Sequence, residues 1–271
     1  MTNPVVSGSA RAIAIRAALD AGAILRGRLS QTREVDYKGV IDLVTDADRA
    51  SEQLISGRIK GAFPEHGFLG EEGARGADGA EFNWVVDPLD GTTNYAHAYP
   101  HFAVSIALER HGRAVLGVVY DPMRDELFVA ERGQGATLNG APIQVSVEDD
   151  LLRSLLATGF PYNPEQRGEA LAVWNALMDA CQGVRRDGAA ALNLTWVACG
   201  RLDGFYERNL KSWDMAAGSL IVEEAGGLVS DYAGGAFDLY GIEVVAAGSG
   251  LHGRLRSMVQ STVERSRANG F

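Results

Sequence analysis

Carboxylates at the ends of apolar segments are the residues of this 271-residue chain best placed to do chemistry. The apolar run Phe82-Asn83-Trp84-Val85-Val86 stops abruptly at Asp87-Pro88-Leu89-Asp90-Gly91-Thr92-Thr93-Asn94. Pro88 fixes its own φ and keeps Asp87 extended. The chain can therefore turn there and aim the Asp87 and Asp90 carboxylates and the Leu89 carbonyl at one place. Three oxygens facing a common point suit a hard cation such as Mg²⁺, which takes one or two carboxylates together with substrate phosphate. Gly91-Thr92-Thr93 then offers backbone N–H groups at an expected helix start, a seat for an anionic phosphate. A lone D-P-x-D is ordinarily a turn followed by a cap; the whole string at a strand end favours chemistry.

Three further acidic segments need the first to become interesting. Gly70-Glu71-Glu72-Gly73 follows Phe68-Leu69 and, alone, reads as a solvated turn. Asp214 opens an expected helix, Asp214–Ala225, as an N-cap that needs no other role. Asp42-Leu43-Val44-Thr45-Asp46-Ala47-Asp48 carries strand-like residues into acids and then a helix, again compatible with a cap. That last stretch also resembles the Asp-x-Asp of haloacid-dehalogenase phosphatases, with Asp46 as nucleophile. Ala50 stands where that motif expects Thr or Val, and the segment follows a long helix rather than opening a doubly wound sheet. Serine hydrolases, P-loop proteins, zincins and dinucleotide-binding folds are disfavoured because G-x-S-x-G, the P-loop, H-E-x-x-H and a strand-borne G-x-G-x-x-G are missing. The five histidines never pair at ligand spacing, and Cys181 and Cys199 match no zinc spacing.

The elements that must hold these acids have two textures. Ile13, Ala17, Ile24 and Leu25 recur at helical spacing between Ser9 and Leu29, and a second helix follows Asp48. Trp84–Val86, Phe102–Leu108, Val115–Tyr120 and Glu126–Ala130 read as an antiparallel meander, with Asn139-Gly140 supplying a tight hairpin. After about residue 150 strands and helices alternate: Leu155–Thr158, a helix over Pro164–Gln182, a helix over Ala189–Cys199, strand Gly204–Glu207, the Asp214 helix, strand Val244–Ala247 and a helix from Gly250. We expect one unit over residues 1–271 with a soft division between 1–146 and 147–271. Hydrophobic residues at 46% and charged residues at 22% exclude disorder, collagen and coiled coil. The net charge of −10 disfavours nucleic-acid binding through a general basic field. Two cysteines suit a reducing compartment, and no apolar run reaches the roughly 18 residues of a membrane span. The chain is read as cytoplasmic, with no membrane partner.

In order, G-E-E at Gly70–Glu72, D-P-L-D-G-T-T-N at Asp87–Asn94 and W-D-x-A-A-G…E-A-G-G from Trp213 to Gly227 resemble the inositol monophosphatase family of Mg²⁺-dependent, lithium-sensitive phosphatases. The resemblance spans about residues 10 to 265. It implies an α/β (α+β) fold, the layered αβαβα sandwich, with an antiparallel half followed by an α/β half. It implies two or three Mg²⁺ per subunit: one held by Glu71, Asp87 and the Leu89 carbonyl, a second by Asp87, Asp90 and Asp214, a weaker third on Glu71. Thr92 and Asp48, with Glu71 nearby, would orient and deprotonate the attacking water. Gly91 and Thr92 amides would hold phosphate; Asp90, Ala190 and Glu207 would contact the substrate, with Lys38 and Glu72 as further candidates. The implied reaction is hydrolysis of a small polyol phosphate, foremost myo-inositol 1-phosphate, by a homodimer. Fructose-1,6-bisphosphate and histidinol phosphate are alternatives, as is a non-catalytic role with RNA polymerase or ribosome-assembly partners.

Overall fold

Small residues decide how the first helix packs. Ala10, Ala14, Ala17, Ala18, Ala21 and Leu25 form one fully buried stripe on it, and a side chain at Gly22 would run into the ring of Tyr120. The structure is a computed structural model and describes residues 8–30, 35–37, 43–77 and 79–268. In chain order the elements are α1 (Gly8–Arg28), β1 (Val35–Tyr37), β2 (Leu43–Thr45), α2 (Asp46–Ala62), β3 (Gly67–Gly70), β4 (Phe82–Asp90), α3 (Thr92–Ala96), β5 (Ala103–Arg110), β6 (Arg113–Asp121), β7 (Glu126–Glu131), β8 (Ala136–Leu138), β9 (Ala141–Pro142), β10 (Leu155–Thr158), α4 (Arg167–Met178), β11 (Gly183–Arg185), α5 (Ala190–Ala198), β12 (Gly204–Arg208), α6 (Ser212–Glu224), β13 (Gly227–Ser230), β14 (Glu243–Gly248) and α7 (Ser249–Ala268).

A seven-stranded sheet runs β3-β4-β5-β6-β7-β8-β9, antiparallel throughout except for the parallel pair β3–β4. Its central strands are covered on both faces, which is why β4 to β6 read as near-continuous apolar runs. Asn139 and Gly140, both at positive φ, close the β8–β9 hairpin as an Asn-Gly turn demands. A five-stranded mixed sheet has the order β11-β10-β12-β14-β13; β11, β10 and β12 run parallel, and β14 pairs antiparallel with its two neighbours.

Three apolar layers follow. The outer core joins α1 and α2 to one face of the large sheet, through Leu25, Ile55, Trp84 and Leu116. The central core packs α5 and α6 between the two sheets, through Leu194, Ala217, Val85 and Phe205. The far core sets α4 and α7 against the smaller sheet, through Leu177, Leu255 and Tyr206. This is the expected αβαβα sandwich. The helix expected over Pro164–Gln182 is shorter: Pro164–Gln166 is a 3₁₀ turn, α4 ends at Met178, and Gly183 already belongs to β11. Among the described residues no helix is long and apolar enough to cross a membrane.

Candidate active site

A bulge at the end of β4 aims the first two acids. Asp87 pairs with Ser105, but the next pairing is Asp90 with Ala103, so three steps on β4 oppose two on β5. Pro88 has no N–H to give the ladder, and its carbonyl receives the Ser51 hydroxyl at 2.7 Å. Along β4, Trp84 and Val86 enter the outer core while Val85 enters the central one. Simple alternation would put Asp87 and Leu89 on one face and Asp90 on the other. With the extra residue, the Leu89 side chain enters the outer core and both aspartates reach the cleft. The Leu89 N–H donates to Asp87 Oδ1 at 3.0 Å and braces the turn.

Helix starts hold Asp90 in place and carry two further acids, Asp214 and Asp48. Asp90 receives the N–H groups of Ala190 and Ala191 at 3.1 and 2.8 Å, and so caps α5 from a hundred residues away. Asp214, expected as an N-cap, instead occupies the third position of α6, where its Oδ2 accepts the Lys211 N–H at 2.7 Å. Asp48 does the same in α2: its Oδ2 accepts from Thr45 N at 2.8 Å and Thr45 Oγ1 at 2.6 Å. Its Oδ1 lies 3.0 Å from Thr92 Oγ1, which is also 3.0 Å from the Leu89 carbonyl. Glu71 occupies the turn after β3, with its N–H donating to Val86 O at 3.2 Å.

One cleft of about 250 Å³ is lined by Glu71, Asp87, Leu89, Asp90, Gly91, Thr92, Ala190, Glu207 and Asp214. Asp48 is buried behind Thr92 and communicates with the cleft through that hydroxyl. Glu72 stands apart, its N–H turned to the Glu52 carboxylate. Lys38 lies outside the described residues. The Ala190 N–H is taken by Asp90, so the amide of Ala190 is directed at that carboxylate. Gly91 adopts a left-handed φ of 91° ahead of α3, which a glycine tolerates without strain. Asn94 then ties this loop to the next, donating to His101 O at 2.8 Å and Asp187 O at 2.7 Å. Tyr95 donates its hydroxyl to Leu25 O of α1 at 2.8 Å.

The cluster is electrostatically loaded. Burial, then the charges of Glu71, Asp90 and Asp214, push Asp87 well above the usual carboxylate range. Asp90 is pushed up to about 7 by burial, against the pull of the Ala191 and Ala190 N–H groups. Burial raises Asp214 well above its ordinary value too, with Lys211 N–H opposing and Glu71 and Asp90 adding to the rise. Asp48 rises to about 6 through burial, opposed by its Thr45 and Thr92 bonds. Asp87 and Glu71 are close enough to share a hydrogen bond, which two carboxylates can do only if one keeps a proton. A dication would replace that proton and relieve the repulsion. Among the described residues no three acids form a ready-made metal cage, so the fit rests on the donor set. It is made of oxygen alone and faces one cleft, which suits Mg²⁺ or another hard cation.

Reading the sequence alone misses part of the lining: Phe160, Tyr162, Arg186, Lys211 and Trp213 also face the cleft. Gly159 packs against Glu207, and a Cβ there would push the Glu207 carboxylate aside. The Arg185-Arg186 pair ahead of the Asp187-Gly188 turn is the one signal that points to such a rim.

A layered sandwich thus brings Glu71, Asp87, Asp90 and Asp214 to one cleft, and the chain belongs to the inositol monophosphatase family, whose model matches residues 9–266. It is 47% identical over 230 residues to the Pseudomonas aeruginosa protein named Nus factor SuhB, covering 82% of this chain and 85% of that one. It is 44% identical over 236 residues to the inositol-1-monophosphatase of Rhizobium meliloti, covering 86% and 88%. The crystal structure of the extragenic suppressor protein suhB from Bartonella henselae superposes with a TM-score of 0.90 at 41% identity, covering 93% of this chain and 99% of that one.

Proposed function

We infer that this chain hydrolyses the phosphate monoester of a small polyol, foremost myo-inositol 1-phosphate, in a Mg²⁺-dependent reaction. The observation that carries this reading is the convergence of Glu71, Asp87, Asp90 and Asp214 on the cleft that Thr92 also lines, with Asp48 hydrogen-bonded behind it. Glu71, Asp87 and the Leu89 carbonyl would hold one ion, Asp87, Asp90 and Asp214 a second, and Glu71 a weaker third. Bound there, Mg²⁺ supplies Lewis acidity toward the phosphate and lowers the pKa of the attacking water. The Gly91 and Thr92 amides seat the phosphate oxygens. Thr92, held by Asp48, orients the water, and Asp48 can take its proton at near-neutral pH because burial has raised it. Water attacks phosphorus in line and yields its proton through Thr92 to Asp48, the P–O bond to the polyol breaks, and the alkoxide takes a proton from solvent water to leave as the alcohol; no covalent enzyme intermediate is needed. Glu207 faces the polyol's hydroxyls. Lithium should inhibit by competing for a metal position, and the working form should be a cytoplasmic homodimer without direct nucleic-acid contacts.

A phosphate-release panel covering inositol 1-phosphate, fructose-1,6-bisphosphate and histidinol phosphate, with and without Mg²⁺ and lithium, tests the reading. Asp87→Asn should abolish metal binding and nearly all turnover; Mg²⁺-dependent hydrolysis surviving in that variant would sink it. The name Nus factor on a 47%-identical relative favours a second reading, a non-catalytic role with RNA polymerase or ribosome-assembly partners. A pull-down with the Asp87→Asn protein separates the two: partner capture and an intact cellular phenotype in the inactive variant would assign the role to binding.

A further inference from the structure

Helix α2 presents more than Asp48 to the site. Ser51 on the same helix donates to the Pro88 carbonyl of the β4 bulge. One helical turn beyond Asp48, Glu52 reaches the turn that carries Glu71. Its Oε2 accepts the Glu72 N–H at 2.8 Å and its Oε1 the Ala74 N–H at 2.9 Å. Glu52 is only 6% exposed, and it is not among the residues lining the cleft. Gly70 closes against it, since a Cβ there would collide with the Glu52 carboxylate. The turn is further tied by Gly70 N to Ala74 O at 3.0 Å and by Glu71 N to Val86 O at 3.2 Å. The backbone on both sides of Glu71 is thereby held: from β4 through its own N–H, and from α2 through the next residue.

The geometry points to Glu52 as a positioning residue of the active site: by gripping the Glu72 and Ala74 amides with its two oxygens, it fixes where Glu71 presents its carboxylate and so sets metal affinity. This rests on the metal-dependent reading given above. A glutamate is required because both contacts are accepted bonds. A glutamine would keep one acceptor and turn its NH₂ against a backbone N–H. Groups that orient a metal ligand are worth about ten- to hundredfold in metal affinity.

The test is calorimetric titration of the full-length protein with Mg²⁺ alone, for wild type, Glu52→Gln and Gly70→Ala, the last displacing the same carboxylate from the other side. Turnover at saturating Mg²⁺ and melting in EDTA are measured beside it. Both variants should bind Mg²⁺ about tenfold or more weakly, with turnover at saturating metal within about threefold of wild type. A purely structural role would lower the melting temperature and leave affinity unchanged. Wild-type affinity in whichever variant folds therefore overturns the proposal. A wild-type protein that binds no Mg²⁺ and turns over without it would remove the underlying reading itself, and that titration is done first so that the two failures are distinguishable.

Discussion

Glu207→Gln should make the metal-free protein more stable and less sensitive to pH. Glu207 enters the cleft from β12, and burial raises it to about 8 from 4.5, with Arg186 opposing and Asp90 adding to the rise. Its folded value exceeds its unfolded one, so the stability it contributes is complete below about 4.5 and is lost as pH climbs through about 8. Between about pH 7 and about pH 8.5 that loss is about 1 kcal/mol for Glu207. Asp90, raised to about 7, loses a few tenths of a kcal/mol more, and Asp87 and Asp214 act in the same direction. Burial holds His66, His101 and His252 below 6.5; they lose stability as pH falls through 6.5 and enter little above pH 7. The glutamine keeps the shape and cannot ionise, so its curve should be flatter by about 1 kcal/mol over this interval. At about pH 8.5 the variant should exceed wild type by at most about 5 kcal/mol, less to the extent that cleft water reaches Glu207. Urea unfolding in EDTA, followed by the fluorescence of the four tryptophans, measures both quantities. Equal slopes, or a variant less stable than wild type at the alkaline end, would refute the reasoning.

Thr92→Val removes the hydroxyl that links Asp48 to the cleft while keeping its shape; turnover should fall about hundredfold or more with Mg²⁺ binding preserved by calorimetry. Gly117→Ala tests the packing of the large sheet on α6, because the new Cβ would stand 2.7 Å from the Ala217 carbonyl. Denaturation should show a loss of about 1–3 kcal/mol, and an unchanged midpoint would contradict the close approach.

The site is legible where its parts are neighbours in sequence. An apolar strand, a proline and two aspartates within four residues are enough to announce a turn that gathers oxygens at Asp87–Asp90. β3 and β11 are not legible in this way: each has three or four residues, and each becomes a strand only through a distant partner. Phe68 and Leu69 pair with Trp84 and Val85, and Gly183 to Arg185 pair with Leu155 to Ala157. Glu52 is silent for the same reason. On a helix it looks like any solvated acid, and its meaning depends on amides twenty and twenty-two residues away. The rim of Arg186, Lys211 and Tyr162 comes from three separate loops whose meeting is a product of sheet order.

Capping and chemistry, set against each other when the acids are read singly, turn out to be one arrangement. Asp48 and Asp214 satisfy an N–H at the starts of α2 and α6, and Asp90 satisfies two at the start of α5. The first turn of a helix carries orphan donors and a partial positive charge, so it is a place where a carboxylate is both held in one rotamer and electrostatically favoured. That matters most for acids that must stand close together, because their repulsion would otherwise drive side chains apart or the loops open. Burial first, and then the neighbouring charges, keep Asp87 and Asp214 well above the ordinary range despite the Leu89 and Lys211 N–H groups they accept. The helix starts therefore fix the places of the charges without neutralising them, which leaves an acid cluster that a proton satisfies only in part and a dication would satisfy better.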